Sequence, residues 1–344
     1  MKVGILNITG YSGIELARIL NRHPEFEITS VTGRSAAGQN LADIFPHLSG
    51  LNLVVKDQLD DGLDIVFSAL PHAASAEKLI PFIKNGKFIV DFSADFRLND
   101  SKEYEYWYKT EHPIPEHLKS ASYGLPELNR TKIANSKIVA NPGCYSTASI
   151  LALAPAVASS FITEDVIIDA KSGVSGAGRG LSLNTHFSEV NESIKAYSIS
   201  GHRHMPEVVQ EINKLNNELQ IKLTFLAHLI PITRGILVSV YAPINPVYIN
   251  EKSTSVEFIH NMYQEYYRDE QFVFISDQPP TTKQTLGNNR CIIYPTIDTR
   301  TNRLIVIACI DNLVKGAAGQ AVQNANILFG IPEEVGLEDL ALYP

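Results

Sequence analysis

The sequence predicts an α/β protein of about two domains, the first built around a parallel sheet. Three observations carry this. Short apolar strands alternate with helical segments over the first 140 residues, the pattern of a sheet covered by helices on both faces. A glycine-containing turn, Asn7-Ile8-Thr9-Gly10-Tyr11-Ser12-Gly13, falls between the first strand and the first helix. At 344 residues the chain can bury a large core and divide once.

The elements follow in order. Lys2 to Leu6 reads as a strand, and Gly13 to Asn21, with Ile14, Leu16, Ala17, Ile19 and Leu20, as a mostly apolar helix. Phe26–Thr32, Leu63–Leu70 and Lys87–Asp91 read as further strands, and Ser136–Ala140 as a short one leading to a helix from Cys144. After that helix come a strand at Val166–Ala170 and a helix opened by His202-Arg203-His204-Met205-Pro206-Glu207. Thr224–Tyr241 reads as two strands flanking a Pro and an Arg-Gly turn. Near the end, Val314, Ala318, Ala321, Ala325 and Leu328 recur at helical period. That small-residue helix is expected to pack closely, back onto the first domain.

Composition narrows the function class. A hydrophobic fraction of 44% and a charged fraction of 19% are those of a globular protein. The net charge of −8 argues against nucleic acid as a partner. No apolar run approaches the roughly 18 residues of a membrane span, and the first residues enter a strand rather than a signal peptide. Three cysteines, Cys144, Cys291 and Cys309, are too few for a disulfide framework, so a reducing cytoplasm is expected. Cys291 and Cys309 lie in apolar runs and read as core.

The turn after the first strand is a Gly-x-x-Gly dinucleotide loop in the right context, formed by Thr9, Gly10, Tyr11, Ser12 and Gly13. Its glycines let the backbone approach a pyrophosphate, which the helix N-terminus then stabilises. The usual first glycine is Asn7, a residue that tolerates left-handed dihedrals. The second strand ends in Val31-Thr32-Gly33-Arg34-Ser35, with no acidic residue for a ribose 2′-hydroxyl. Arg34 and Ser35 suit a 2′-phosphate instead, which favours NADP(H) over NAD. Ser68-Ala69-Leu70-Pro71-His72 ends a strand where ligands sit in such sheets, so Ser68 and Pro71 join the cofactor candidates. His72 either touches the cofactor or caps the next helix.

Cys144 stands in Asn141-Pro142-Gly143-Cys144-Tyr145-Ser146-Thr147, where a turn meets an apolar helix. A thiol there faces backbone N–H groups and the positive end of the helix dipole, which favour the thiolate, the nucleophilic form. The same N–H groups can hold an oxyanion. The loop Lys171 to Gly180, ending Ser175-Gly176-Ala177-Gly178-Arg179-Gly180, suits a compact anion. His202 and His204 flank Arg203. Their i,i+2 spacing and the absence of a third ligand argue against zinc, so no metal is expected and acid–base chemistry fits better. Glu207, three residues beyond His204, faces it on a helix and can orient the imidazole, and Arg203 is a candidate anion clamp.

These residues together resemble a known family. Thr9-Gly10-Tyr11-Ser12-Gly13 with Glu15-Leu16, Asp91-Phe92-Ser93-Ala94-Asp95-Phe96-Arg97 and Tyr123-Gly124-Leu125-Pro126-Glu127 match it, as do the Cys144 turn and the Ser172 to Arg179 loop. So do His202-Arg203-His204 with Pro206-Glu207, His228-Leu229 with Pro231 and Arg234-Gly235, and Asp311-Asn312-Leu313 with Lys315-Gly316-Ala317-Ala318. The chain is similar over essentially its whole length to the N-acetyl-γ-glutamyl-phosphate reductases of arginine biosynthesis, relatives of aspartate-semialdehyde dehydrogenase. The resemblance implies a Rossmann-type NADP-binding domain at 1–143, completed by a C-terminal helix 311–344. It also implies a catalytic and oligomerisation domain at 144–310 with a mixed sheet, in a homodimer or homotetramer.

The implied reaction is NADPH-dependent reductive dephosphorylation of an acyl phosphate. Cys144 attacks the acyl carbon, phosphate leaves, hydride reduces the thioester, and the hemithioacetal collapses to the semialdehyde. His204 is the expected acid–base, supported by Glu207, with His202 second. Arg97, Ser93, Arg179, Arg203 and Arg234 are expected around the substrate, and Ser175, Gly176 and Asn312 near the cofactor. The same chemistry on a carrier-linked aminoadipyl phosphate or on aspartyl phosphate is the alternative, with a non-catalytic NADP-binding redox sensor more remote.

Overall fold

The computed structural model describes residues 1–249 and 255–343. Residues 250–254 and the last residue of the expected 311–344 segment, Pro344, lie outside that description. The chain folds as two compact units, Met1–Pro142 with Ala317–Asp339, and Gly143–Gly316 with Leu340–Pro344.

The first unit holds a seven-stranded, wholly parallel sheet. Its strands are β1 (Lys2–Leu6), β2 (Glu27–Thr32), β3 (Val55–Lys56), β4 (Ile65–Ser68), β5 (Phe88–Asp91), β6 (Ser122–Tyr123) and β7 (Ile138–Ala140). Their spatial order is β3-β2-β1-β4-β5-β7-β6. The central strands are buried on both faces: Val3, Ile5, Ile65, Val66, Phe67, Ile89 and Val90 have no exposed surface. A continuous apolar run is what a doubly covered parallel strand requires.

The helix Tyr11–Leu20 opens straight after the glycine turn. Asn7 takes φ 64°, the left-handed conformation expected of it, and its Nδ2 donates to the Ala69 carbonyl at 2.8 Å. A methyl group on Gly13 would sit 2.7 Å from the Asn7 carbonyl oxygen, so the turn closes only around a bare backbone.

The Asp91–Arg97 stretch is a buried polar seam. Asp95 accepts from the Ala73, Ser75 and Ala76 N–H groups at 2.8, 3.0 and 3.0 Å and from the Tyr104 hydroxyl at 2.9 Å. Its charge thus satisfies the start of the helix Ser75–Lys84, whose own N-terminal position, Ala74, has no side-chain oxygen. Ala73, at φ 62°, is held in that conformation by this clamp. Asp91 accepts from the Ser75 and Ser93 hydroxyls, each at 2.6 Å.

The second unit holds a mixed sheet of β8 (Asp165–Gly173), β9 (Lys195–Tyr197), β10 (Lys222–Ile230), β11 (Ile236–Pro243), β12 (Val273–Ile275), β13 (Cys291–Asp298) and β14 (Arg303–Ile310). The order is β12-β13-β14-β11-β8-β10-β9, with β8–β10 and β12–β13 parallel and the other neighbours antiparallel. The helix Cys144–Ala158 lies on β11 and β14, beside the helix Met205–Asn213. It is buried from Tyr145 to Val157, and Cys291 and Cys309 are in the core, as their apolar runs predict.

One element differs from expectation. The periodic segment from Val314 is not one helix: Val314–Ala318 forms a π-turn, and the α-helix runs Gly319–Leu328. That helix is buried all round, its polar residues included. Asn324 donates to the Gly124 carbonyl and to the Asn141 side chain at 2.8 and 3.1 Å, and Asn326 to the Glu333 and Val335 carbonyls. Period alone cannot reveal polar residues buried through such bonds.

Burial, with Asp95 beside it, pushes the Asp91 carboxyl up to about 6. An unfolded aspartate ionises near pH 4, so over the interval from about 4 to about 6 the unfolded state loses its proton first. Stability from this group therefore falls as pH rises through that window. Asp91→Asn is expected to remove the slope: urea unfolding from pH 4 to 8 should show wild type losing ground to the variant up to about pH 6 and parallel curves above. Parallel curves throughout would refute the assignment.

Candidate active site

In the second unit the Gly143-Cys144 turn starts its helix with extended Gly143 (φ −65°, ψ 145°) as N-cap. The first bond of the helix runs from the Thr147 N–H to the Gly143 carbonyl at 2.9 Å, so the N–H groups of the first turn have no acceptor within the helix. Cys144 is half-buried. Glu207, itself 1% exposed, accepts the Gly143 N–H at 3.0 Å. The carboxylate expected to orient His204 thus fixes the turn that carries the thiol.

His204 is the N-cap of the helix Met205–Asn213, and its ring lies over Gly143. A Cβ on Gly143 would be 2.6 Å from His204 Nε2. The structure therefore brings Cys144, His204 and Glu207 around one turn. His202 plays a different part. Its Nδ1 accepts the His204 N–H at 3.1 Å, and burial, with the Arg203 guanidinium next to it, pulls it down to about 4. It stays neutral near pH 7 and holds its neighbour in place.

Two tyrosines that sequence reasoning passed over lie beside these histidines. Tyr145 donates to the His228 carbonyl at 3.1 Å, and the Tyr197 hydroxyl donates to that of Tyr145 at 3.3 Å. The Tyr145 ring lies edge-on to His202, His204 and Phe225, with centroids 5.4, 5.9 and 5.7 Å away. Burial raises both phenols, Tyr197 to about 12, so they act as neutral donors. Tyr145 could have been found from its position next to the thiol. Tyr197, from a short edge strand, gives no such signal.

The loop after β8 forms a 3-10 turn, Val174–Ala177. Ser175 is buried, whereas Gly176 and Arg179 are exposed. Asn312, expected near the cofactor, accepts the Gly235 N–H at 2.8 Å and donates to the Ser175 hydroxyl at 2.9 Å. Both ends of its amide are thereby engaged within the second unit. Arg234 lies 3.4 Å from the buried carboxylate of Asp311, and Arg203 is exposed beside His202.

In the first unit Asn7, Gly33 and Arg34 line a cleft of about 770 Å³ that also carries Asp57, Asp60 and Asp61. Arg34 and Ser35 are exposed, as are Tyr11 and Pro71 near the glycine turn. Thr9 and Ser12 are half-buried there, and Gly10 and Gly13 frame the helix start. Three expectations shift. Ser68 has no exposed surface and its hydroxyl pairs with that of Ser75 at 2.7 Å. Ser93 is equally buried, its hydroxyl donated to Asp91. Arg97 is 4% exposed and gives Nε to the Asn141 carbonyl at 2.8 Å and Nη2 to that of Phe92 at 2.6 Å. Loop carbonyls and a buried carboxylate claim these groups, which build the loops around the site. His72 accepts the Ala94 N–H through Nδ1 at 3.0 Å, which ties its loop to the buried seam.

Gly143→Ala is compatible with the backbone but drives a methyl group into the His204 ring. The variant is expected to fold and to lose about 100-fold in activity, the scale of a displaced catalytic group. Activity within a few-fold of wild type would show that the ring has room to move.

Two family models match the chain, the semialdehyde dehydrogenase NAD binding domain over residues 2–136 and the semialdehyde dehydrogenase dimerisation domain over residues 144–312. An N-acetyl-γ-glutamyl-phosphate reductase of Dehalococcoides mccartyi is 49% identical over 343 residues, covering 100% of this chain and 99% of its own. One of Pelotomaculum thermopropionicum is 47% identical over 352 residues, with 100% and 99% covered. Among solved structures, aspartate semialdehyde dehydrogenase from Candida albicans with NADP superposes with a TM-score of 0.70 at 18% identity, over 95% of this chain and 98% of that one. The Vibrio cholerae enzyme II complexed with ASA gives 0.69 at 18% identity, over 96% and 98%. With near-half identity over its full length to curated relatives, the chain belongs to the N-acetyl-γ-glutamyl-phosphate reductase family of semialdehyde dehydrogenases.

Proposed function

We propose that the chain reduces N-acetyl-L-glutamyl 5-phosphate to N-acetyl-L-glutamate 5-semialdehyde with release of phosphate, a step of arginine biosynthesis. The observation that carries it is a thiol at a helix N-terminus with the His204 ring over the preceding glycine, in a chain whose full-length relatives bear that activity's name. Cys144 attacks the acyl carbon, the carbon–oxygen bond to phosphate breaks, and a thioester forms. The helix N–H groups stabilise the oxyanion on the way in and again when the reduced carbon carries it. His204 hands a proton to the departing thiolate as the aldehyde leaves. His202, neutral, and Glu207 keep that ring and the turn aligned. The nicotinamide dinucleotide supplies the hydride.

The cofactor reading is NADP(H). The bare Gly10–Gly13 turn at a helix N-terminus fits a pyrophosphate, and Arg34 with Ser35 fits a 2′-phosphate. Asp57 and Asp61 line the same cleft and oppose it, so the preference rests on Arg34. The substrate's anionic groups are assigned to Arg179, Arg203 and Arg234, which lie in the unit that carries the thiol. The second unit is also the surface we assign to homodimer or homotetramer formation. Ile167 and Phe274 of its mixed sheet are 36% and 38% exposed, apolar side chains suited to a second copy. The chemistry suits the cytoplasm, where a reduced thiol and NADPH are available.

A phosphate-dependent assay in reverse, following NADP reduction with N-acetylglutamate semialdehyde and with aspartate semialdehyde as control, tests the substrate. Turnover of the acetylated compound alone is expected, and activity with aspartate semialdehyde alone would overturn the assignment. Cys144→Ser should abolish turnover while leaving NADPH affinity within about two-fold, because no thioester can form. Retained turnover would sink the covalent route. Arg34→Ala is expected to weaken NADPH roughly 10- to 100-fold, the worth of a charge-assisted contact, and to leave NADH unchanged. Equal losses for both would remove the 2′-phosphate contact.

A further inference from the structure

Asp311 stands at the end of β14 with no exposed surface, and its carboxylate meets Leu313, Gly287 and Arg234. Oδ1 accepts the Leu313 N–H at 2.8 Å, Oδ2 accepts the Gly287 N–H at 2.8 Å, and Arg234 Nη1 approaches Oδ2 to 3.4 Å. Its carbonyl takes the Val314 and Gly316 N–H groups at 3.2 and 2.9 Å, which shapes the π-turn. Gly316 is the wall behind the nucleophile: a methyl group there would lie 2.8 Å from Cys144 Cβ. The neighbouring Asn312 holds Gly235, so the Arg234-Gly235 turn is fixed at its side chain by one residue and at its backbone by the next.

We infer that Asp311 is a positioning residue, which aims the Arg234 guanidinium at the substrate's anionic group while its carbonyl sets the wall against the thiol. A buried carboxylate kept between two backbone donors has little freedom, so it presents a fixed charge to a long, flexible side chain. An arginine held in this way presents its planar fork in one orientation, the condition for binding a carboxylate or phosphate in one pose. A π-turn at this point is consistent with that duty, since such turns collect at functional sites.

The inference rests on the acyl-phosphate reading, and the experiment separates the two. In the reverse assay Asp311→Asn, which keeps the shape but removes the charge and exchanges one of the two accepting oxygens for an NH2 group, should raise KM for the semialdehyde at least 10-fold. Its kcat and NADP affinity should stay within about three-fold. Adding Asp311→Asn to Arg234→Gln should then cost less than three-fold more, because the arginine it positions is gone. Multiplicative losses, or a fall of kcat and NADP affinity together with KM, would overturn the positioning role. The second measurement is thermal: Arg234→Gln leaves the Asp311 charge buried without its guanidinium, so at pH 8 it should unfold at a lower temperature than wild type. An unchanged unfolding temperature would count against the inference even if the single Asp311 variant failed to fold. Wild-type protein that turned over neither semialdehyde would refute the substrate assignment instead. The thermal comparison would still report on Asp311.

Discussion

Close packing around one turn governs the second unit. On one side of Cys144 the His204 ring leaves no room for a side chain at residue 143, and on the other the Cys144 Cβ leaves none at residue 316. Interiors packed to this density transmit small displacements rather than absorb them. The groups that hold the turn are accordingly anchored themselves. Glu207 binds the Gly143 amide, His202 binds the His204 amide, and Asp311 binds the π-turn through its carbonyl. Each anchor is buried, so each works at low dielectric, where a hydrogen bond is strong and its loss costly.

The first unit solves a different problem with the same kind of group. Its ligand-facing loops sit at the ends of parallel strands, where backbone N–H groups would otherwise go unmet. Asp91 and Asp95 meet them from below, and Ser68, Ser75, Ser93 and Arg97 extend that seam. These residues shape the cleft without lining it. Mutating them would therefore act through loop geometry and stability.

The parallel sheet, the glycine turn and the thiol at a helix start were all legible in the sequence, because each rests on local pattern. Asn7 was legible too, since its left-handed conformation follows from its side chain. Ser68 and Ser93 were expected as contact residues, and the structure shows both hydroxyls buried in hydrogen bonds. A motif records that a position matters, and does not tell a residue that touches ligand from one that holds the loop beneath it. The π-turn before Gly319 escaped because an apolar stripe has the same period across it. Tyr197 escaped because its partner lies 52 residues away in the chain, and no local pattern encodes a hydroxyl pair of that span.

Asn7 has a consequence for binding kinetics. A glycine in that place would take the left-handed conformation freely but would also leave it freely. The asparagine amide is tied to the Ala69 carbonyl, joining the end of β1 to the end of β4, and the loop is held in one conformation before any ligand arrives. The entropy of ordering the turn is then lost once, during folding, and not at each encounter with a dinucleotide. A loop of this kind captures its ligand as a rigid mould, with association limited by diffusion and orientation rather than by rearrangement of the protein.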